Sequence, residues 1–444
     1  MKLRRTLTTL PLVFVMYFNV SGGPFTLESL VARIGPGLAI LILAAVPLVW
    51  SLPETLIVAE LASMLPEEGG YYRWVRRAFG SFWAFQNGWW TWVYSLVDMA
   101  IYPVLFNQYL AFFFPELGAV ARWCVSLAVI WIATGINLRG ALPVGRISIL
   151  GGLFVMGGFL ALSIAALTRA THAPWLPFLA PGSSPLDTLG VGLSIALWNY
   201  IGWDNASTVQ GEVIDPSRTY PRALAITLPL VTFGYLVSCM TAASASDWST
   251  WHEGGWSDIA LSVAGGLGRP LAVWLALAGM VSSLALFNAL LLSYSRIPLA
   301  MARDGLLPAP LAETDARGTP AKAVLVSAVF YSVFALVPFG GLVVADVLLY
   351  AMALLLEFGA LIALRRREPD LRGAYRIPLG LKGVTALAAV PAVVLVVVVA
   401  LSLRDPEYGA PAILGALVAA GLGTPLYGIV RRYVSAPAAD ALDG

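Results

Sequence analysis

The sequence predicts an all-α polytopic membrane protein with about twelve transmembrane helices. Three observations carry that prediction. First, 59% of the 444 residues are hydrophobic and only 12% are charged, with a mean hydropathy of +0.80. A soluble globular chain carries about 25% charged residues, so lipid is the solvent that fits this surface. Second, apolar runs recur along the whole chain, and about 20 such residues cross a bilayer as a helix. Third, the cations are segregated. In a twelve-span layout five of the 27 Lys and Arg (Arg33, Arg122, Arg169, Arg269 and Arg404) fall on one side, and the other 22 on the opposite side. Cytoplasmic loops carry the Lys/Arg excess, and one missed span would invert every later loop. Both termini are therefore expected in the cytoplasm of a cell membrane, plasma or inner. The connections between spans average about 15 residues, too few for a soluble catalytic domain.

The elements follow in order. Helices are expected near residues 8–32, 37–64, 83–113, 119–137, 145–168, 187–210, 222–245, 270–298, 321–338, 341–364, 383–403 and 410–430. Lys2, Arg4 and Arg5 precede the first run, as in a signal peptide. That run continues into Ser21-Gly22-Gly23-Pro24 with no small-x-small cleavage site, so it reads as the first span. The second run is long for a bilayer, and Pro47 and Pro53 predict a bend in it. Residues 258–267 read as a short helix at the surface. Cys124 and Cys239 lie in apolar runs and read as small fillers. His172 and His252 lie in polar connections. No His, Cys and carboxylate grouping has metal-ligand spacing, so neither metal nor cofactor is expected, and nothing points to nucleic acid.

Two spans break themselves. In the first, Ser21-Gly22-Gly23-Pro24 opposes helix propensity, and Pro24 has no backbone N–H to donate. In the sixth, Trp198-Asn199-Tyr200-Ile201-Gly202-Trp203-Asp204 sets an amide, a glycine and an acid in mid-span. Open backbone at membrane depth survives where it is buried in protein or lines a cavity. Spans one and six hold the same place in two five-helix halves, and paired breaks of that kind point to a transporter site. Helix N-termini at a break offer N–H groups to an anion, and freed carbonyls accept from a cation.

Acids inside the spans are the second pointer. Glu54 and Glu60 lie in the second span, Asp98 in the third, Asp204 in the sixth and Glu357 in the tenth, with no Lys or Arg expected at their depth. A charge at mid-bilayer costs about 2.5–3.5 kcal/mol on insertion scales. Such acids are protonated, hydrogen-bonded, hydrated or paired with an incoming cation. Tyr102 stands four residues after Asp98, so one helix face presents both. Glu60, near the cytoplasmic end, reads as structural or gating. Trp198, Tyr200 and Trp203 flank the second break, where rings can cup a cation. Trp83, Trp89, Trp90 and Trp92 read as an interfacial belt.

These residues resemble the amino acid–polyamine–organocation permeases, in the branch of polyamine uptake and L-type amino acid transporters. Val20 to Phe25 resembles that family's unwound first helix. Ala59-Glu60-Leu61, Pro66 to Tyr72 and Ala78-Phe79-Gly80 resemble its second-helix signature. Trp198 to Asp204, Gly211-Glu212 and Pro216 to Arg222 resemble the sixth helix and its exit. Arg296 with Met301 to Pro308, and Glu357 through Pro378, resemble the exits of helices eight and ten. The resemblance implies a five-plus-five inverted repeat of the leucine-transporter type, with helices 1 and 6 discontinuous. Its units would be residues 1–168, residues 187–364 and a peripheral 383–444. It implies that Ser21, Gly22 and Gly23 meet a substrate carboxylate or an equivalent group. Trp198, Asn199, Tyr200 and Gly202 would line the pocket, and Asp204 would gate or carry a proton. The lysine that some proton-coupled relatives keep in helix five is absent from 147–168.

The expected function is secondary active transport of a small amine, an amino acid or a polyamine, with no enzymatic activity. Substrate-binding candidates are Ser21, Gly22, Gly23, Asp98, Tyr102, Trp198, Asn199, Tyr200, Gly202 and Trp203. Asp204, Glu54 and Glu357 are candidates for proton coupling or gating. The coupling ion is open between proton and sodium, since Ser282 and Ser283 suit either a sodium site or helix contacts. An ion-independent amino acid exchanger is the alternative; a channel or receptor fits the paired breaks less well.

Overall fold

The computed structural model describes residues 3–182, 184–335, 342–402 and 409–433. Among these, regular structure is helical apart from one isolated bridge, Leu7 to Val213. The first span is two helices, α1 (Thr9–Val20) and α2 (Leu27–Ile34), parted where Gly22 and Gly23 take φ of +64° and +118°. The second is α3 (Pro36–Val46), a π-helical turn over Pro47–Ser51, and α4 (Leu52–Met64). Pro47 removes a ladder hydrogen bond, and the helix widens to a π-turn there. Then come the short α5 (Tyr71–Phe79), α6 (Ser81–Leu110), α7 (Ala119–Asn137) and α8 (Ala141–Leu167).

The sixth span is α9 (Pro185–Trp198), an open stretch, and a 3-10 segment over Asn205–Glu212. After it run α10 (Pro216–Ala245), α11 (Trp256–Val263), α12 (Gly268–Tyr294), α13 (Arg296–Arg303) and α14 (Ala321–Phe334). The chain closes with α15 (Leu342–Arg367), α16 (Leu381–Ser402), α17 (Gly409–Gly421) and α18 (Gly423–Tyr433). The last expected span is thus interrupted at Leu422, and residues 336–338 of the ninth lie outside the described part. The expected surface helix at 258–267 is α11, whose Trp256, Ile259, Ala260 and Val263 are buried.

Eight of these stretches are long and apolar enough to cross a membrane. The other four expected crossings are the two broken spans, the short α14, and α6. Polar residues lower the hydropathy of α6, but Gln86, Asn87, Thr91, Ser95 and Asp98 are all buried. The arrangement inverts a soluble protein: polar groups face inward, and Leu150, Leu160, Val393, Val396 and Leu414 face outward. The most apolar part of the stretch containing α12 is mostly buried within the protein, and that of the stretch ending in α18 mostly is not. The former is the axis of the bundle and the latter lies at its edge.

The connections touch in two groups. Arg73 pairs with Asp304, Arg77 with Glu368, Thr6 with Glu212 and Arg4 with Ala316. Gln108 meets Glu253, Gly254 meets Glu28, Thr171 meets Ser244 and Leu38 meets Phe178. Every member of the first group lies on the cation-rich side of a twelve-span layout, and every member of the second on the other.

Candidate functional site

The two breaks meet at the centre of the bundle. Gly202 has φ +101°, and a Cβ there would stand 2.5 Å from the carbonyl oxygen of Asn19. The backbones touch, so this position requires glycine. Asn199 Nδ2 donates to Thr26 Oγ1 at 3.1 Å, tying one break to the other. Ser282 Oγ on α12 donates to Gly22 O at 2.6 Å, and Ser283 bonds within its own helix. The Asn19 carboxamide reaches Ala289 O, the Ser293 hydroxyl and the Ala206 N–H.

A cavity lies beside this junction. Six sequence-predicted residues border it: Ser21, Asp98, Tyr102, Trp198, Asn199 and Gly202. Gly22 and Gly23 do not. The N–H groups of Ser21 and Gly22 both donate to Tyr17 O, and that of Gly23 to Ser21 Oγ. The amides that the resemblance would offer to a carboxylate are therefore donors within the break itself. Tyr200 and Trp203 also stand off the cavity. The Tyr200 hydroxyl donates to Leu43 O at 3.0 Å, and Trp203 Nε1 donates to Tyr200 O at 2.8 Å. They brace the back of the break.

The acids divide. On α6, Asp98 Oδ1 accepts from the Tyr102 hydroxyl at 2.6 Å and Oδ2 from the Tyr294 hydroxyl at 2.9 Å. Glu54, Asp204 and Glu357 form a separate buried cluster beyond the cavity wall, with Glu357 facing Asp204 and Asn87. Tyr350 joins cluster and cavity. Its hydroxyl stands 2.6 Å from Glu54 Oε1 and 2.7 Å from Asp204 Oδ1, and it accepts from Gly202 N–H at 2.9 Å. Glu60 corrects the expectation that the intramembrane acids have no cation at their depth. Arg365 forks onto both of its oxygens at 2.7 and 2.5 Å, and Ile377 N–H donates to it at 2.8 Å. The long Arg365 side chain starts two turns beyond Glu357 on α15 and reaches the end of α4.

Acids inside the expected spans that the sequence did not single out include Glu28 and Asp346. Both lie within the predicted ranges 8–32 and 341–364, so the rule that flagged Asp98 flags them too. Glu28 accepts from Gly254 N–H at 2.8 Å under the 247–264 connection. Asp346, on α15, is fully buried and borders the cavity. Tyr94, Tyr294 and Tyr350 also border it, and no sequence signal separates them from other aromatic residues.

At the cation-rich end, the buried Arg296 donates to Glu212 at 2.9 and 2.7 Å and stands 3.9 Å from Glu68. Burial, and then the Glu212 carboxylate, push the Glu68 carboxyl up to about 8, against the pull of Arg296 and Arg303.

Residues 7–421 match the family model described as amino acid permease. The chain is 37% identical over 405 residues to the polyamine transporter PUT1 of Oryza sativa subsp. japonica, covering 90% of this chain and 74% of that protein. To the polyamine transporter RMV1 of Arabidopsis thaliana it is 36% identical over 399 residues, 89% of this chain and 80% of the relative. To the branched-chain amino acid permease BcaP of Lactococcus lactis subsp. cremoris it is 27% identical over 399 residues, 81% and 82% of the two chains.

Proposed function

The chain belongs to the amino acid permease family, and from that premise we propose that it carries a polyamine across a cell membrane, coupled to a proton. The family and the named relatives make it a transporter of amino acids or polyamines rather than an enzyme. The observation that carries the polyamine reading is the charge of the cavity. Two carboxylates, Asp98 and Asp346, border it, and no Lys, Arg or His does among the described residues. An α-amino acid would bring a third carboxylate into that field, to a break whose nearest amides are already bonded. Relatives named as polyamine transporters support the same choice.

The proton reading rests on hydrogen-bond arithmetic. A phenol has one hydrogen to give and two lone pairs. One lone pair of Tyr350 takes the Gly202 N–H, and its own hydrogen satisfies one carboxylate. The second carboxylate, 2.7 Å away, then needs a proton of its own to donate to the phenol. Glu54, Asp204 and Glu357 hold that proton in this reading. Ser21, Asp98, Tyr102, Trp198, Asn199 and Gly202 contact substrate, while Gly22 and Gly23 let the first span flex. Residues 1–168 and 187–364 act as two repeats that rock about the paired breaks, with 383–444 outside them. Both termini lie in the cytoplasm, as the 22 cations of one side favour.

Purified protein in lipid vesicles tests this with labelled spermidine and leucine, in sodium-free buffer under a pH gradient. Concentrative spermidine uptake that a protonophore abolishes is expected. Accumulation of leucine, indifferent to the protonophore, would overturn the proposal in favour of an ion-independent amino acid exchanger.

A further inference from the structure

Resting on the polyamine reading of the same cavity, we propose that Asp346 and Asp98 together form a primary-ammonium clamp, with Asp346 the charge that selects a polyamine over an amino acid. The two acids differ in one respect. Both oxygens of Asp98 already accept a tyrosine hydroxyl, Tyr102 on one and Tyr294 on the other. Asp98 is held in place by donors of the protein. Asp346 is 0% exposed, and neither of its oxygens has a hydrogen-bond partner among the described residues. Its charged neighbour is Asp98, of the same sign.

A buried carboxylate without a donor is among the most costly groups a fold can keep. Here it borders a cavity. The missing partner is a donor that enters through that cavity. It must be cationic, since two like charges face it, and it must carry several N–H groups, since two acids present acceptors. A primary ammonium, with three donors on one nitrogen, meets both demands. The walls match. Tyr94 packs edge-to-face on Tyr294 at 5.7 Å and on Tyr350 at 5.5 Å, and such rings attract a cation. An α-amino acid offers the same ammonium, but its carboxylate then sits one carbon away from two acids. A polyamine places methylenes there instead.

Asp346→Asn, Asp346→Glu and wild-type full-length protein are compared in detergent. Thermal unfolding and binding are measured with spermidine, putrescine, butylamine, leucine and sodium chloride as probes. Wild type is expected to bind spermidine and putrescine. Asp346→Asn is expected to lose about 30-fold or more in affinity for both, and to melt at the same or a higher temperature, because an unpartnered buried charge has gone. Asp346→Glu is expected to restore part of the affinity. The proposal is overturned if Asp346→Asn binds polyamines as wild type does, or if it unfolds at a lower temperature, the mark of a structural acid. It is also overturned if sodium chloride alone stabilises the wild type while amines do not. Wild type that binds leucine and no polyamine overturns both the clamp and the polyamine reading. Polyamine binding that ignores Asp346 overturns the clamp alone.

Discussion

Tyr350→Phe removes one oxygen and keeps the ring, including its edge-to-face contact with Tyr94 at 5.5 Å. Three contacts go with that oxygen: Gly202 N–H at 2.9 Å, Glu54 at 2.6 Å and Asp204 at 2.7 Å. A buried backbone N–H left without a partner costs about 1–3 kcal/mol, and a hydrogen bond to a charged group contributes about 1.5–3 kcal/mol. One of each puts the loss at about 2.5–6 kcal/mol for the state in which break and acids are joined. The assay is spermidine uptake into vesicles under a pH gradient, with thermal unfolding of the same preparation. The melting temperature is expected to fall and pH-driven accumulation to drop by about tenfold or more. Downhill exchange of spermidine is expected to persist, because Asp98 and its tyrosine donors are untouched. A Tyr350→Phe protein with wild-type accumulation and an unchanged melting temperature refutes the reasoning.

The remaining predictions are briefer. Gly22→Leu places a Cβ 2.5 Å from Ser282 Oγ and 2.7 Å from Leu286 at φ +64°. Transport is expected to be lost while the protein still inserts, read by uptake and membrane fractionation; normal uptake would refute the role of the break. Glu60→Gln leaves Arg365 buried without its counter-charge, which costs about 3–5 kcal/mol; a melting temperature equal to wild type would show that the pair contributes nothing. Glu68 has its carboxyl raised to about 8, so the folded state binds more protons than the unfolded state between the two values. Its stabilising contribution is complete at acid pH and is lost as pH rises through about 8. Melting temperatures measured across that range are expected to fall, and to fall less in Glu68→Gln; parallel curves would refute the assignment.

Much of the architecture was legible because its causes are local. The first break was visible as Gly-Gly-Pro, and Pro47 marked where the second span widens to a π-turn. The pairing of Asp98 with Tyr102 followed from a four-residue helical spacing and is realised at 2.6 Å. What the sequence hid is long-range. Glu60 and Arg365 are 305 positions apart, and their ion pair removes one acid from those awaiting an external cation. Tyr200 and Trp203 flank the second break as expected but turn away from the cavity, because Leu43 O and Tyr200 O offer them acceptors on the far side.

The sequence by itself determined the membrane class, the spacing of the spans, and where two helices cannot continue. Hydropathy, charge and backbone propensity are properties of a residue and its near neighbours, so they survive without coordinates. The tertiary structure decided which acid is paired, which is held by tyrosines and which is left open to the cavity. Those outcomes depend on which side chains from α6, α12 and α15 arrive at one point. Asp98 and Asp346 are the same residue type on the wall of the same cavity; the two hydroxyls that reach one and not the other make the difference.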